Sequence, residues 1–133
     1  MNKQFIISVV VLFVWTLLAG MLVHGMLLGP QYAALTDLYR PEADQMAHFP
    51  YMLAGHVAMA IGITWIYRMG RHGRAWLGQG IRFGIALALL MTVSIYLIYF
   101  AVQPMPASLA SQQVAYDSVA VILTGVITAF INK

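Results

Sequence analysis

The sequence predicts an all-α integral membrane protein, a four-helix bundle with both termini on the cytoplasmic side, and three observations predict it. Of 133 residues, 62% are hydrophobic and 8% charged, whereas about a quarter of a soluble domain is charged. The apolar residues collect into four runs, near residues 5–28, 49–67, 81–102 and 114–131, each close to the ~20 residues that cross a ~30 Å hydrocarbon layer as a helix. The lysines and arginines split six to one between the two sides of such a bundle. One transmembrane domain, 1–133, accounts for the whole chain.

The first run follows Lys3, as the core of a secretory leader would. It is longer than a leader core and no small-x-small site closes it, so it reads as a retained helix ended at Gly29-Pro30. The connection 30–48 carries Tyr32, Leu35, Leu38 and Tyr39 at helical spacing before Pro41, which predicts a short amphipathic helix lying on the bilayer surface. The second run leads into a basic, glycine-punctuated loop, 68–80, and the third ends at Pro104 and Pro106. None of the runs alternates with the period of a barrel strand, and in lipid the backbone must satisfy its own hydrogen bonds, so all four are helices.

Lys3, Arg68, Arg71, Arg74, Arg82 and Lys133 share one side, with Arg40 alone on the other. The positive-inside rule then puts the termini and loop 68–80 in the cytoplasm. Arg68, Arg71, Arg74 and Arg82 set topology and touch anionic lipid. The formal charge of +3 therefore reflects topology, and no nucleic-acid partner is expected. Absence of cysteine excludes disulfides, thiolate metal sites and thiol chemistry. Tyrosines and tryptophans gather near the ends of the runs, as interfacial residues do; Trp15, in mid-span, reads as packing.

Small residues four apart let helix backbones approach closely. Gly25/Gly29, Ala54/Ala58/Gly62, Gly80/Gly84/Ala88 and Gly125/Ala129 give one set per run and predict tight bundling. Polar residues within the runs are costly in lipid and turn toward the bundle interior. At 100° per residue, Thr92, Tyr96, Tyr99 and Gln103 share a face of run three, and Gln113, Asp117, Thr124 and Thr128 a face of run four. His56, Ala60 and Thr64 make such a stripe on run two, and Gly20 with His24 on run one. His24, His56 and Asp117 all fall in the outer leaflet, within one or two turns of the outer ends.

Three readings compete for these residues. As helix glue, the histidines hydrogen-bond Asp117, a tyrosine or a carbonyl and hold the helices in register. As cofactor ligands, His24 and His56 hold a b-type haem, or with Asp117 a divalent metal; Met52 and Met59 beside His56 extend that reading to monovalent copper. As a conduit, an oligomer moves protons or ions along the seam, with Asp117 titrating. No cofactor is the expectation; haem or metal is the alternative. On run two the stripe Ala54, Ala58, Gly62 is centred roughly 160° to 240° from His56. If His56 faces the bundle, the small stripe faces out, toward another transmembrane helix.

The stretch His24-Gly-Met-Leu-Leu-Gly-Pro-Gln-Tyr32, Arg82-Phe83-Gly84, Gln103-Pro104-Met105-Pro106 and residues 125–133 resemble a widespread group of small bacterial four-span proteins of unknown function. The resemblance implies this architecture and a bacterial cytoplasmic (inner) membrane, and carries no reaction or ligand. No Ser-His-Asp ordering, phosphate-cradling glycine loop or carboxylate pair suggests an enzyme. The expectation is a non-enzymatic structural or accessory subunit, packed against partner helices or itself.

Overall fold

The computed structural model describes residues 2–73 and 75–133, so Arg74 lies outside the described residues. It is all-α, and four of its helices are long and apolar enough to cross a membrane. α1 spans Lys3–Leu27 and is wound as a π-helix over Met21–Leu27; α2 is the short Gly29–Ala33. α3 spans Glu42–Met69, α4 Trp76–Val102 with a π segment at Leu89–Val93, and α5 Ala107–Ile131.

Local chemistry sets these limits. Asn2 caps α1 by accepting from the Gln4 N–H, and Glu42 and Asp44 sit in the first turn of α3, where the helix dipole favours acids. α3 starts seven residues before the apolar run does, and Pro50 lies inside it. The helix runs through the proline, as spanning helices do where neighbouring groups replace the lost bond. The connection between α1 and α3 is correspondingly shorter than residues 30–48.

Burial is inverted relative to a soluble bundle. Side chains with less than 2% exposure include Ser8, Thr64, Thr92, Thr128 and Asn132 beside Leu12, Leu28 and Leu109, while Leu90 and Ile98 are 69% and 60% exposed. A polar, small-residue interior inside an apolar skin is the pattern that lipid selects, because tails solvate leucine as well as a protein core does. α4 and α5 make the closest crossing. A Cβ built on Gly84 would meet the Ile122 carbonyl oxygen at 2.6 Å, and one on Gly80 the Ala129 Cβ at 2.8 Å. These glycines permit backbone-to-backbone contact that alanine would not.

The four small-residue sets divide. Gly80, Gly84, Gly125 and Ala129 build the α4–α5 crossing, whereas Gly25, Ala54 and Ala58 are exposed. Nothing lies within 4 Å of a Cβ built on Gly25 or Gly62.

Two core clusters stack along the bundle. Leu12, Ala60, Ile63 and Leu87 form a middle layer with Phe13, Met59, Phe83 and Val121 around it. At one end Val23, Leu28, Met105, Leu109 and Ala110 are covered by Tyr32, Leu35, Leu38 and Tyr39. The expected amphipathic segment thus folds down onto the bundle end instead of lying beside it, because Met105 and Leu109 offer it an apolar floor. The helical part is only Gly29–Ala33, followed by turns.

The opposite end carries the basic residues and is tied by Asn132, which is fully buried. Its Nδ2 donates to Ser8 Oγ (3.0 Å) and to the Thr128 carbonyl (2.9 Å), and its Oδ1 accepts from Arg68 Nη1 (3.1 Å). Thr64 donates to Ser8 at 3.3 Å and Gln4 to the Ile131 carbonyl at 2.7 Å. One amide therefore joins α1, α3 and α5.

Candidate functional site

The π-winding at Met21–Leu27 and the turn at Gly29-Pro30 bring the start of α2 back beside α1. Such wide turns recur at functional positions, and this one carries His24. His24 Nδ1 lies 2.7 Å from Tyr32 Oη, and His24 Nε2 lies 3.2 Å from Asp117 Oδ2 on α5. The same carboxylate oxygen accepts from Tyr96 Oη of α4 at 2.5 Å. Gln113, one turn before Asp117 and 3% exposed, donates its Nε2 to Tyr32 Oη at 3.1 Å.

One assignment of protons satisfies this chain. Since Gln113 donates to the Tyr32 oxygen, the phenol's own proton goes to His24 Nδ1. The imidazole then carries its hydrogen on Nε2 and donates it to Asp117, which also receives the Tyr96 hydroxyl. Four helices, α1, α2, α4 and α5, are joined through five side chains. Gln31 Nε2 to Gln112 Oε1, at 2.5 Å, adds a second tie between α2 and α5. Gln113 Oε1 is buried without a partner among the described residues.

Tyr32 sits beyond the end of α1, and burial pushes its phenol up to about 12. The raised value favours the protonated hydroxyl in the folded protein. Its contribution to stability is complete below pH 10, the ordinary tyrosine value, and is lost as pH rises through about 12. A difference ultraviolet titration of wild type against Tyr32→Phe is expected to show one phenol ionising near pH 12. A midpoint near the ordinary value would contradict the burial.

His56 stands apart from this chain. Its Nδ1 lies 3.0 Å from Thr16 Oγ1 of α1, and its ring edge faces Gly20, where a Cβ would be 3.7 Å from His56 Cε1. Among the described residues no three His, Cys, Asp or Glu side chains gather where one metal ion could take them. The set His24, His56 and Asp117 is therefore split: His24 meets Asp117, and His56 meets Thr16. Both nitrogens of His24 are engaged, by Tyr32 and Asp117, so the three residues do not present one common set of free ligand atoms in this arrangement.

The seam is not a continuous file of polar groups either. Thr16 and Ser8 on α1 are separated by fully buried Leu12 and by about 12 Å of helical rise. His56 and Thr64 on α3 are likewise separated by Ala60, and both interruptions belong to the middle apolar layer. The threonines of α5 donate to their own helix, Thr124 to the Ala120 carbonyl and Thr128 to that of Thr124. Thr92 and Tyr96 turn inward while Tyr99 is 45% exposed, because the π segment at Leu89–Val93 shifts the phase of the helix.

Several of the joining residues carry no warning in the sequence. Tyr32 reads as one apolar residue of an amphipathic stretch, and its meeting with His24 depends on the π turn. Asn132 and Ser8 look like end residues. Trp15 reads as packing, and its indole N–H donates to Thr124 Oγ1 at 2.9 Å. The one available signal is that polar residues within apolar runs seek each other. No family model matches the chain, and neither does any curated protein or solved structure.

Proposed function

We propose that this chain is a non-enzymatic structural subunit of a bacterial cytoplasmic membrane that packs, through the outward face of α3, against a transmembrane helix of another chain. The termini and the basic end lie in the cytoplasm, following the positive-inside rule. The observation that carries the reading is the condition of α3. Its buried residues, Ala60, Ile63, Thr64 and Tyr67, all fall in its second half. Ala54 and Ala58 are exposed, and the space beside Gly62 is open to at least 4 Å.

Small residues cost helix propensity and gain nothing against lipid, but they let a second backbone approach. The glycines of α4 and α5 already have such a partner within the bundle, and those of α3 do not. In this reading the His24–Asp117 chain holds α1, α2, α4 and α5 in register, so that α3 is presented on a rigid support.

Ala58→Leu and Gly62→Leu test the reading. A Cβ at position 62 meets nothing within 4 Å and Ala58 is exposed, so the isolated protein is expected to stay folded. Extracts made gently from native membranes are expected to show a smaller species for the variants than for wild type on a native gel. Equal sizes would count against the proposal. A wild-type species of twice the monomer mass identifies the partner as a second copy, through a self-complementary two-fold contact.

A further inference from the structure

The four acids of the chain, Asp37, Glu42, Asp44 and Asp117, all lie toward one end of the bundle. Among the described residues the contacts these acids make with basic side chains, Asp44 with Arg40 and His48 and Asp117 with His24, are all at that end. The basic end has no acidic side chain to balance its cations. It does have a cavity of about 380 Å³, bounded by the end of α3, the loop after it, the start of α4 and the end of α5. Tyr67, Arg71, Trp76, Gln79, Asn132 and Lys133 line it.

Two of those residues are cations held in place. The loop turns back at Gly73, whose φ of 56° belongs to the left-handed region that glycine tolerates. Arg71 Nη1 donates to the Asn132 carbonyl, which anchors the guanidinium through one of its five N–H groups. Lys133 Nζ rests 4.0 Å from the Phe130 ring centroid and 5.7 Å from that of Trp76, a cation–π seat on two rings. Trp76 and Phe130 stack edge to face at 5.3 Å. Arg68, by contrast, is bonded to the Asn132 side chain and does not line the cavity.

We propose that this cavity holds the phosphate headgroup of an anionic phospholipid, with Arg71 as the forked donor and Lys133 as the point charge. A guanidinium matches two phosphate oxygens at once, and an ammonium supplies attraction without fixed geometry. The cavity lies at the end of the spanning helices, the depth at which headgroups sit, and exposed Phe130 beside it offers an apolar wall for an acyl chain. Basic pockets between helices at the cytoplasmic surface take anionic headgroups in this way. The proposal rests on membrane insertion and is independent of the partner on α3.

The test uses the full chain, delipidated in detergent, with dioleoyl phosphatidylglycerol, dioleoyl phosphatidylcholine and inorganic phosphate as separate probes. Retention by native mass spectrometry and the shift in thermal unfolding are the readouts. Phosphatidylglycerol is expected to bind and stabilise, phosphatidylcholine and free phosphate to do neither. Lys133→Gln is expected to weaken phosphatidylglycerol about fivefold, the effect of roughly one cation at a charged interface. Arg71→Gln should weaken it further, and Lys3→Gln, at the same end but outside the cavity, not at all. Because Arg71 also braces Asn132, Lys133→Gln keeps the test decisive if the arginine variant does not fold. Equal affinity of wild type and Lys133→Gln would overturn the proposal, as would equal binding of phosphatidylcholine. Stabilisation by inorganic phosphate alone would also overturn it and mark a soluble-anion site.

Discussion

Gly125→Ala is expected to destabilise the bundle by about 3 kcal/mol, the upper part of the range for forcing one group into a packed core. A Cβ at this position would lie 2.5 Å from Gly84 Cα and N and 2.6 Å from the Gly80 carbonyl oxygen. All three are backbone atoms, so no side chain can rotate away, and α4 must move off α5 as a unit. That movement strips contacts along the whole crossing. Gly62→Ala is the matched control, since its new methyl meets nothing within 4 Å and is expected to change stability by less than about 0.5 kcal/mol. Denaturant unfolding in detergent micelles compares them. If the two variants unfold alike, the close crossing is not what holds α4 to α5.

Asp117→Ala is expected to cost about 2–3 kcal/mol, by a different mechanism. One carboxylate oxygen accepts from both His24 Nε2 and Tyr96 Oη, so truncation strands two donors at once. Interhelical hydrogen bonds in membranes average well under 1 kcal/mol, but bonds to an ionised group are worth about 1.5–3 kcal/mol. The carboxylate is 16% exposed and His24 37%, which keeps the figure at the lower end of what two such bonds suggest. Tyr96→Phe removes one donor and is expected to cost about 1 kcal/mol. The double variant should cost less than the two single costs added, because the tyrosine has nothing to lose once its acceptor is gone. Strict additivity in the same micelles would show that Tyr96 and Asp117 are not coupled.

The four helices long and apolar enough to cross a membrane were legible because hydropathy and length act residue by residue, without tertiary contact. Lines of polar residues on α3 and α5 were legible for the same reason: His56, Ala60 and Thr64, and Gln113, Thr124 and Thr128, keep a plain helical period. The period fails where the helix itself changes. At Leu89–Val93 the π-winding turns Tyr99 out of the line that Thr92 and Tyr96 occupy. At Met21–Leu27 it lets a phenol eight residues further on reach His24.

Ligand sets are harder still. His24, His56 and Asp117 share a depth, and depth follows from counting residues, but their azimuth depends on which helices are neighbours. His56 on α3 meets Thr16 of α1, and Asp117 on α5 meets His24 and Tyr96. Asn132 escaped notice because an amide beside a terminal lysine resembles a solvated end, whereas it is the buried knot of the basic end. Small-residue spacing located the right glycines on α4 and α5, and the angle from His56 marked Ala54, Ala58 and Gly62 as an outward stripe, but nothing in the spacing marked Gly25 as exposed.

Photo-crosslinking from position 58 in native membranes tests the structural role most directly. A photoreactive residue replacing Ala58, on the exposed face of α3, is compared with one replacing Leu97, which is 58% exposed on α4. A discrete adduct of protein mass is expected from position 58 and only lipid adducts from position 97. Lipid adducts alone from both positions would contradict it, and would leave α3 facing the bilayer as any other helix does.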